Sequence, residues 1–203
     1  SRMKLEVEDS QWDPKQAVTA YQSLRMRGVR LFHVMGAGMS MAIKPLCSRD
    51  HTLLFSTAAS PLLLKDTTCV LRHSNDAVND AAILAEAISK LGKTHIAGLY
   101  VMNDWGALYD KALSENLARL LPAATYRSES HAPGQVGFRA ELMVLLARHP
   151  EVFVVNSFGA ASAIIIKELK SLGFQGQIVA NNGIVLSPEP KRILEEAGIS
   201  GFL

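Results

Sequence analysis

The apolar positions of the chain switch repeatedly between two rhythms. Leu5 and Val7 alternate with Glu6 and Glu8, which predicts a short strand. Asp13-Pro14 then predicts a helix start, with Asp13 as N-cap and Pro14 at the first helical position, where its missing N–H costs nothing. Ala17, Ala20, Tyr21 and Leu24 recur at helical spacing until Gly28. Val29 to Met35 is an apolar run interrupted by Arg30 and His33, read as a buried parallel strand. Gly36-Ala37-Gly38-Met39-Ser40 reads as a tight turn, followed by a helix from Met41 to about Asp50.

The same alternation continues. Strands are expected at Leu53–Phe55, Cys69–Leu71, Ile96–Val101, Thr125–Glu129, Val152–Val155 and Gln177–Ala180. Helices are expected at Asp80–Leu91, from Asp104-Trp105-Gly106 to Leu121, at Phe138–Arg148 and at Ala160–Leu172. Strand, loop and helix in short alternation predict an α/β fold of parallel sheets flanked by helices. In such sheets ligands bind at the loops beyond the strand carboxyl ends. Four loops therefore carry the functional interest: Gly36–Ser40, Ser56–Pro61, Asn103–Gly106 and Asn156–Gly159. The last six residues, Gly198 to Leu203, read as the approach to another strand, so the chain is expected to be a fragment.

Composition narrows the function classes. The 203 residues are 48% hydrophobic and 20% charged, a globular balance. A net charge of +2 without a basic block argues against nucleic acid or a polybasic membrane surface as partner. No apolar run approaches the roughly 18–20 residues of a membrane span. Two cysteines, Cys47 and Cys69, cannot build a four-thiolate zinc site; a disulfide between them and two buried free thiols both remain open.

Enzyme signatures are missing. The six histidines are scattered, with no pair four apart on one helix, so no metal site is expected. No G-x-S-x-G elbow or Walker phosphate loop is present. Gly36-Ala37-Gly38 follows a strand, but Met41 stands where a dinucleotide fingerprint needs its third glycine. No cofactor is expected. The glycine turn reads better as an anion cradle, because a helix N-terminus offers unpaired N–H groups and a positive dipole end. Ser56–Pro61 adds small side chains and hydroxyls, and Trp105 and Phe158 are loop aromatics able to cover an apolar ligand.

These segments together resemble the type I periplasmic binding proteins, in the branched-chain amino acid branch of ABC-transporter solute receptors (leucine/isoleucine/valine-binding protein-like). The resemblance rests on Asp13-Pro14-Lys15-Gln16-Ala17-Val18, Gly36 to Ser40, Ala58-Ala59-Ser60-Pro61, Leu71-Arg72, Ile96-Ala97 leading to Trp105-Gly106, and Leu172-Gly173-Phe174 followed by Asn182-Gly183. It implies a two-lobed fold closing on a ligand, with residues 1–71 forming part of lobe one and 72–203 most of lobe two. It also implies a non-enzymatic periplasmic receptor, or an extracellular membrane-associated one, that delivers a small solute to a membrane permease. The same fold also serves as the sensing domain of regulators or receptors.

Residue by residue, the resemblance places Ser40 as a carboxylate-binding serine at a helix start. Ala58 and Ser60, with Ala59 between them, match the loop that meets ligand carboxylate and ammonium. Trp105 and Phe158 occupy the places of two lobe-two tyrosines. Asn182 stands where amino-acid binders carry a glutamate that pairs with the ammonium. A buried ammonium without a counter-charge is costly. Either another acid, such as Asp104, takes over, or the ligand is a carboxylate without an amine. Hydrophobic amino acids are the first expectation and aromatic or aliphatic acids the second. Trp12 and Met39 fill the two places where some relatives carry a disulfide.

Overall fold

The computed structural model describes residues 4–58, 60–74, 76–184 and 188–199. The chain separates into two compact units, Ser1–Ala77 and Val78–Leu203.

The first unit holds α1 (Pro14–Met26), β1 (Leu31–Val34), α2 (Ala37–Asp50), β2 (Leu53–Ser56) and β3 (Val70–Arg72). Its sheet runs β1-β2-β3, all parallel. Asp13 caps α1 as its sequence predicts: its carboxylate accepts the N–H groups of Lys15 and Gln16, both at 2.8 Å. Phe32, Leu54 and Val70 project from one face of the sheet into a core with Tyr21, Met39, Ile43 and Cys47. The pleat sends Leu31, Leu53 and Leu71 to the other face, where they are 52%, 47% and 51% exposed. The described helices of this unit thus cover one face of its sheet. Cys47 and Cys69 are free, buried thiols of the same core, and burial pushes the Cys47 thiol upward.

Two sequence expectations are corrected here. Lys4 to Ser10 form no strand, despite the alternation at Leu5–Glu8. No described strand lies against this segment; a groove of about 1260 Å³ separates it from β1, lined by Leu5 and Val7 on one side and Phe32 and Val34 on the other. Glu6 and Glu8 instead pair with Arg27. Arg72 pairs with Ser56 in the first sheet, and the two compact units divide after Ala77. Finally, α2 begins at Ala37 rather than Met41, because the glycine turn is itself the first helical turn.

The second unit contains α3 (Ala77–Ser89, from Val78 on), β4 (His95–Val101), α4 (Asp104–Leu120), β5 (Thr125–His131), α5 (Arg139–Leu146), β6 (Val152–Asn156), α6 (Gly159–Ser171), β7 (Gln177–Ala180) and α7 (Pro188–Glu196). The sheet order is β5-β4-β6-β7, again parallel throughout. Every residue of β6 is buried, and Val152 to Val155 form the continuous apolar run of a central strand. Ala97, Leu99, Phe153 and Val155 pack with Phe138, Leu142, Ile165, Ile166 and Leu169 of the α5–α6 side. On the opposite face α4 docks through Asp110, which accepts hydrogen bonds from Tyr126 (2.5 Å) and Ser128 (2.9 Å). A methyl group at Gly98 would collide with the Tyr126 hydroxyl, so a side chain there would have to displace the Tyr126 ring. This sheet is therefore covered on both faces.

Candidate functional site

In the first unit the loops after the strands converge on two buried hydroxyls. Ser40 Oγ and Ser56 Oγ are 2.7 Å apart, and Ser56 Oγ also accepts the Ala58 N–H at 2.9 Å. Ser40 and Ser56 have no solvent exposure. Ser40 is the fourth residue of α2, and its N–H already donates to Gly36 O at 3.2 Å. Its side chain meets Ser56 behind the turn. The N–H groups of Ala37, Gly38 and Met39 are the ones a helix start leaves without intrahelical partners. Gly36, the N-cap, has no side chain to cap them. It sits at φ +86°, and a side chain there would collide with both Met39 and Trp12. Trp12 and Met39 are thus both packed against this one turn.

Ser60 is half-buried and starts a 3-10 turn, Pro61–Leu64. Its carbonyl accepts from Arg72 Nη1 at 3.4 Å, and the same guanidinium pairs with Asp76 at 2.9 Å. Arg72 therefore links the Ser60 loop to the end of β3. Ala58 is buried; Ala59 lies outside the described residues.

In the second unit the corresponding strand ends carry aromatics. Asn103 caps α4 by accepting the Gly106 N–H at 2.8 Å. Gly106 lies so close to Val101 that any side chain would overlap the Val101 carbonyl. That approach fixes Trp105, whose ring lies 4.4 Å from Phe158 and 5.2 Å from Tyr109, centroid to centroid. Trp105 is half-buried and Phe158 is 41% exposed. The two loop aromatics named from the sequence form one surface.

Asn182 is exposed and begins a short 3-10 turn. The neighbouring Asn181 is buried, and sequence reasoning missed it. Its Nδ2 donates to Asn156 Oδ1 at 2.7 Å and Ser157 O at 3.1 Å, while its Oδ1 accepts the Gly183 N–H at 2.6 Å. A side chain at Gly183 would meet Phe158 and Ser157. Asn181 thus clamps the Asn182 turn onto the Phe158 loop. A second buried link ties Ser157 Oγ to His131 Nε2 at 3.0 Å. His131 Nδ1 lies 2.9 Å from the Ala132 carbonyl, so Nδ1 carries the proton and Nε2 accepts from Ser157. Burial holds the imidazole below its ordinary range, in the neutral form. Nothing in the local sequence distinguishes Asn181 from Asn182; only burial does.

Among the described residues no group of three or more His, Cys, Asp or Glu is placed to hold a metal ion. No described helix is long and apolar enough to cross a membrane.

Two parallel α/β units, each with small polar or aromatic loops at its strand carboxyl ends, place the chain in the α/β class. Residues 2–199 match the sequence profile of a family described as periplasmic binding protein, and the chain belongs to that family. No curated protein matches it significantly. Among solved structures it is similar to the leucine-binding protein LivK of Thermotoga maritima MSB8, with a TM-score of 0.82 and 20% identity over 93% of this chain and 55% of that one. It is also similar to a solute-binding protein of an ABC transporter from Rhodopseudomonas palustris BisB5 in complex with 3,4-dihydroxybenzoic acid (TM-score 0.80, 13% identity, 90% of this chain and 52% of that one). A third, from R. palustris in complex with benzoate, gives a TM-score of 0.79 at 12% identity, covering 87% of this chain and 50% of that one. The chain spans about half the length of these structures.

Proposed function

We propose that this chain is part of an extracytoplasmic receptor of an ABC transporter, located in the periplasm or outside the cell, that binds a small carboxylate with an apolar tail. The first unit acts as the acid-holding lobe and the second as the lobe that closes over the tail. The observation that carries this reading is the α2 N-terminus. It has no side-chain cap, and the Ser40–Ser56 pair behind it fixes its first turn. Such a terminus suits an anion without a cationic side chain. The Ser60 hydroxyl completes the acid side, and the Ala58 N–H, donated to Ser56 Oγ, holds that loop in place. Trp105 and Phe158 pack on the tail, and Asn182 supplies a neutral polar contact.

Ligand binding would bias an open–closed equilibrium by contacts made from both lobes, and the closed form is what a membrane permease would recognise. Two ligand classes follow from Asn182. An amine-free aromatic or aliphatic acid needs no counter-charge there, and the Trp105–Phe158 surface suits the apolar tail of either class. A hydrophobic amino acid needs another carboxylate, for which Asp104, exposed in the first turn of α4, is the nearby candidate.

A thermal-shift screen of the full-length protein separates the two. Ligands that bind only the folded state raise its melting temperature. A shift with benzoate or 4-methylvalerate but not leucine supports the amine-free reading, and the reverse pattern supports the amino acid. No shift with any small carboxylate would overturn the receptor assignment.

A further inference from the structure

We propose that His131 is a positioning residue for the Phe158 surface, holding that loop in place at neutral pH and releasing it in mild acid. The consequence for a ligand rests on the receptor reading; the link itself does not. His131 ends β5, in register with Val101 of β4, and Ser157 follows β6 on the other side of β4. The imidazole thus reaches over the end of β4, and its Nε2 lies 3.0 Å from Ser157 Oγ. Ser157 is 1% exposed and directly precedes Phe158. Its carbonyl accepts Asn181 Nδ2 at 3.1 Å, and Asn181 Oδ1 accepts the Gly183 N–H at 2.6 Å. One imidazole therefore anchors the segments that carry both Phe158 and Asn182. The His131 carbonyl also accepts the Met102 N–H at 2.8 Å, in the loop that leads to Trp105.

In the neutral ring Nδ1–H donates to the Ala132 carbonyl and Nε2 accepts from Ser157. Protonation takes up the Nε2 lone pair. The Ser157 hydroxyl then loses its acceptor, and a charge is placed in a buried position. Phe138, which leads into α5, packs edge-on against the imidazole, with ring centroids 4.9 Å apart. The charged groups on the elements about it are Glu141 of α5, whose field favours the imidazolium, and Glu168 of α6, whose carboxylate accepts the Phe138 N–H at 3.0 Å. Burial outweighs the Glu141 field, so the imidazolium is favoured where the ring meets water. An opened Phe158 loop therefore binds the proton better than a closed one, and falling pH shifts the population towards it. A ligand that needs the closed surface then binds more weakly in acid.

The test is the pH dependence of Trp105 emission in the full-length protein, taken as the difference between the protein and its Trp105→Phe variant. From about pH 7.5 to about pH 5.5 this difference should change in one step with a midpoint below the ordinary 6.5. The step should vanish in His131→Gln. It should vanish in Ser157→Ala too, which keeps the buried imidazole and cuts only its link to the loop. Calorimetry with benzoate and with leucine reads the consequence: the affinity of whichever binds should fall about five-fold over the same range, and much less in His131→Gln. No Trp105 step in wild type, or a step that persists in either variant, would overturn the proposal. The step without binding of any small carboxylate would sink the receptor reading and leave the His131 link standing.

Discussion

Ser56 Oγ stands 2.7 Å from Ser40 Oγ, with both residues wholly buried, so the end of β2 is bonded to the first turn of α2. The same oxygen accepts the Ala58 N–H. One hydroxyl therefore sets the relative position of the two loops that the receptor reading assigns to the ligand carboxylate.

Replacing it tests that role. Ser56→Ala leaves the Ser40 hydroxyl and the Ala58 N–H buried without this partner. Unsatisfied buried groups cost about 1–3 kcal/mol each, so the variant should lose at least about 1 kcal/mol of stability in urea denaturation. Its carboxylate-induced thermal shift should also shrink, whereas Ser48→Ala, on an exposed residue, should leave that shift unchanged.

Gly106→Ala should be among the more damaging single-methyl additions in the second unit. The added carbon would overlap the Val101 carbonyl, which is backbone and cannot rotate away. Overpacking of this kind costs typically about 1–3 kcal/mol, sometimes more. Gly134→Ala makes a comparison: a methyl there meets no atom within 4 Å, although its φ of +79° adds backbone strain. Gly106→Ala should show the larger drop in the urea midpoint.

Trp105 and Phe158 should be energetically coupled. Their rings are 4.4 Å apart, centroid to centroid. A double-mutant cycle of Trp105→Ala and Phe158→Ala, read by chemical denaturation, should give a coupling of about 0.5–1.5 kcal/mol. Additive effects would mean that the rings touch without stabilising each other.

His131 makes stability sensitive to mildly acidic pH. Burial holds its folded-state pKa below the ordinary 6.5, so below that pH the unfolded chain binds more protons than the folded one. Stability should therefore fall as pH drops below about 6.5 and level off below the folded pKa. His131→Gln should remove this part of the dependence. An identical slope in the variant would sink the assignment.

Glu151 acts in a lower window. Its carboxylate accepts the N–H groups of Thr94 and His95 and lies 3.3 Å from Lys93 Nζ. These contacts, the Thr94 N–H foremost, lower its pKa from 4.5 to about 2. A depressed carboxylate stabilises the fold above its unfolded pKa and loses that contribution as pH falls through the folded one. The difference in melting temperature between wild type and Glu151→Gln should therefore shrink between about pH 4.5 and pH 2.

Much of the framework was legible in the chain because its signals are local. Asp13-Pro14 marks a helix start whose cap is made by residues three or fewer positions away. The run Val152–Val155 is apolar throughout because β6 is central, and no distant partner is needed to read it. The strand expected at Leu5–Glu8 was not realised, because alternation reports a half-buried face only where a neighbouring strand exists to pair with it. The α2 start was misplaced by four residues, since Gly36 at φ +86° makes the turn in a single residue.

The amino-acid sequence by itself determined the order and kind of the elements, the parallel α/β class and the loops worth inspecting, because periodicity, caps and glycine turns act over a few residues. Tertiary structure alone decided which polar groups meet. Ser40 is drawn inward by Ser56, sixteen positions away along the chain, and Asn181 rather than Asn182 is buried by Asn156 and Ser157. Such pairings depend on strand order and register, which bring distant residues within hydrogen-bond reach, and no local pattern encodes that distance.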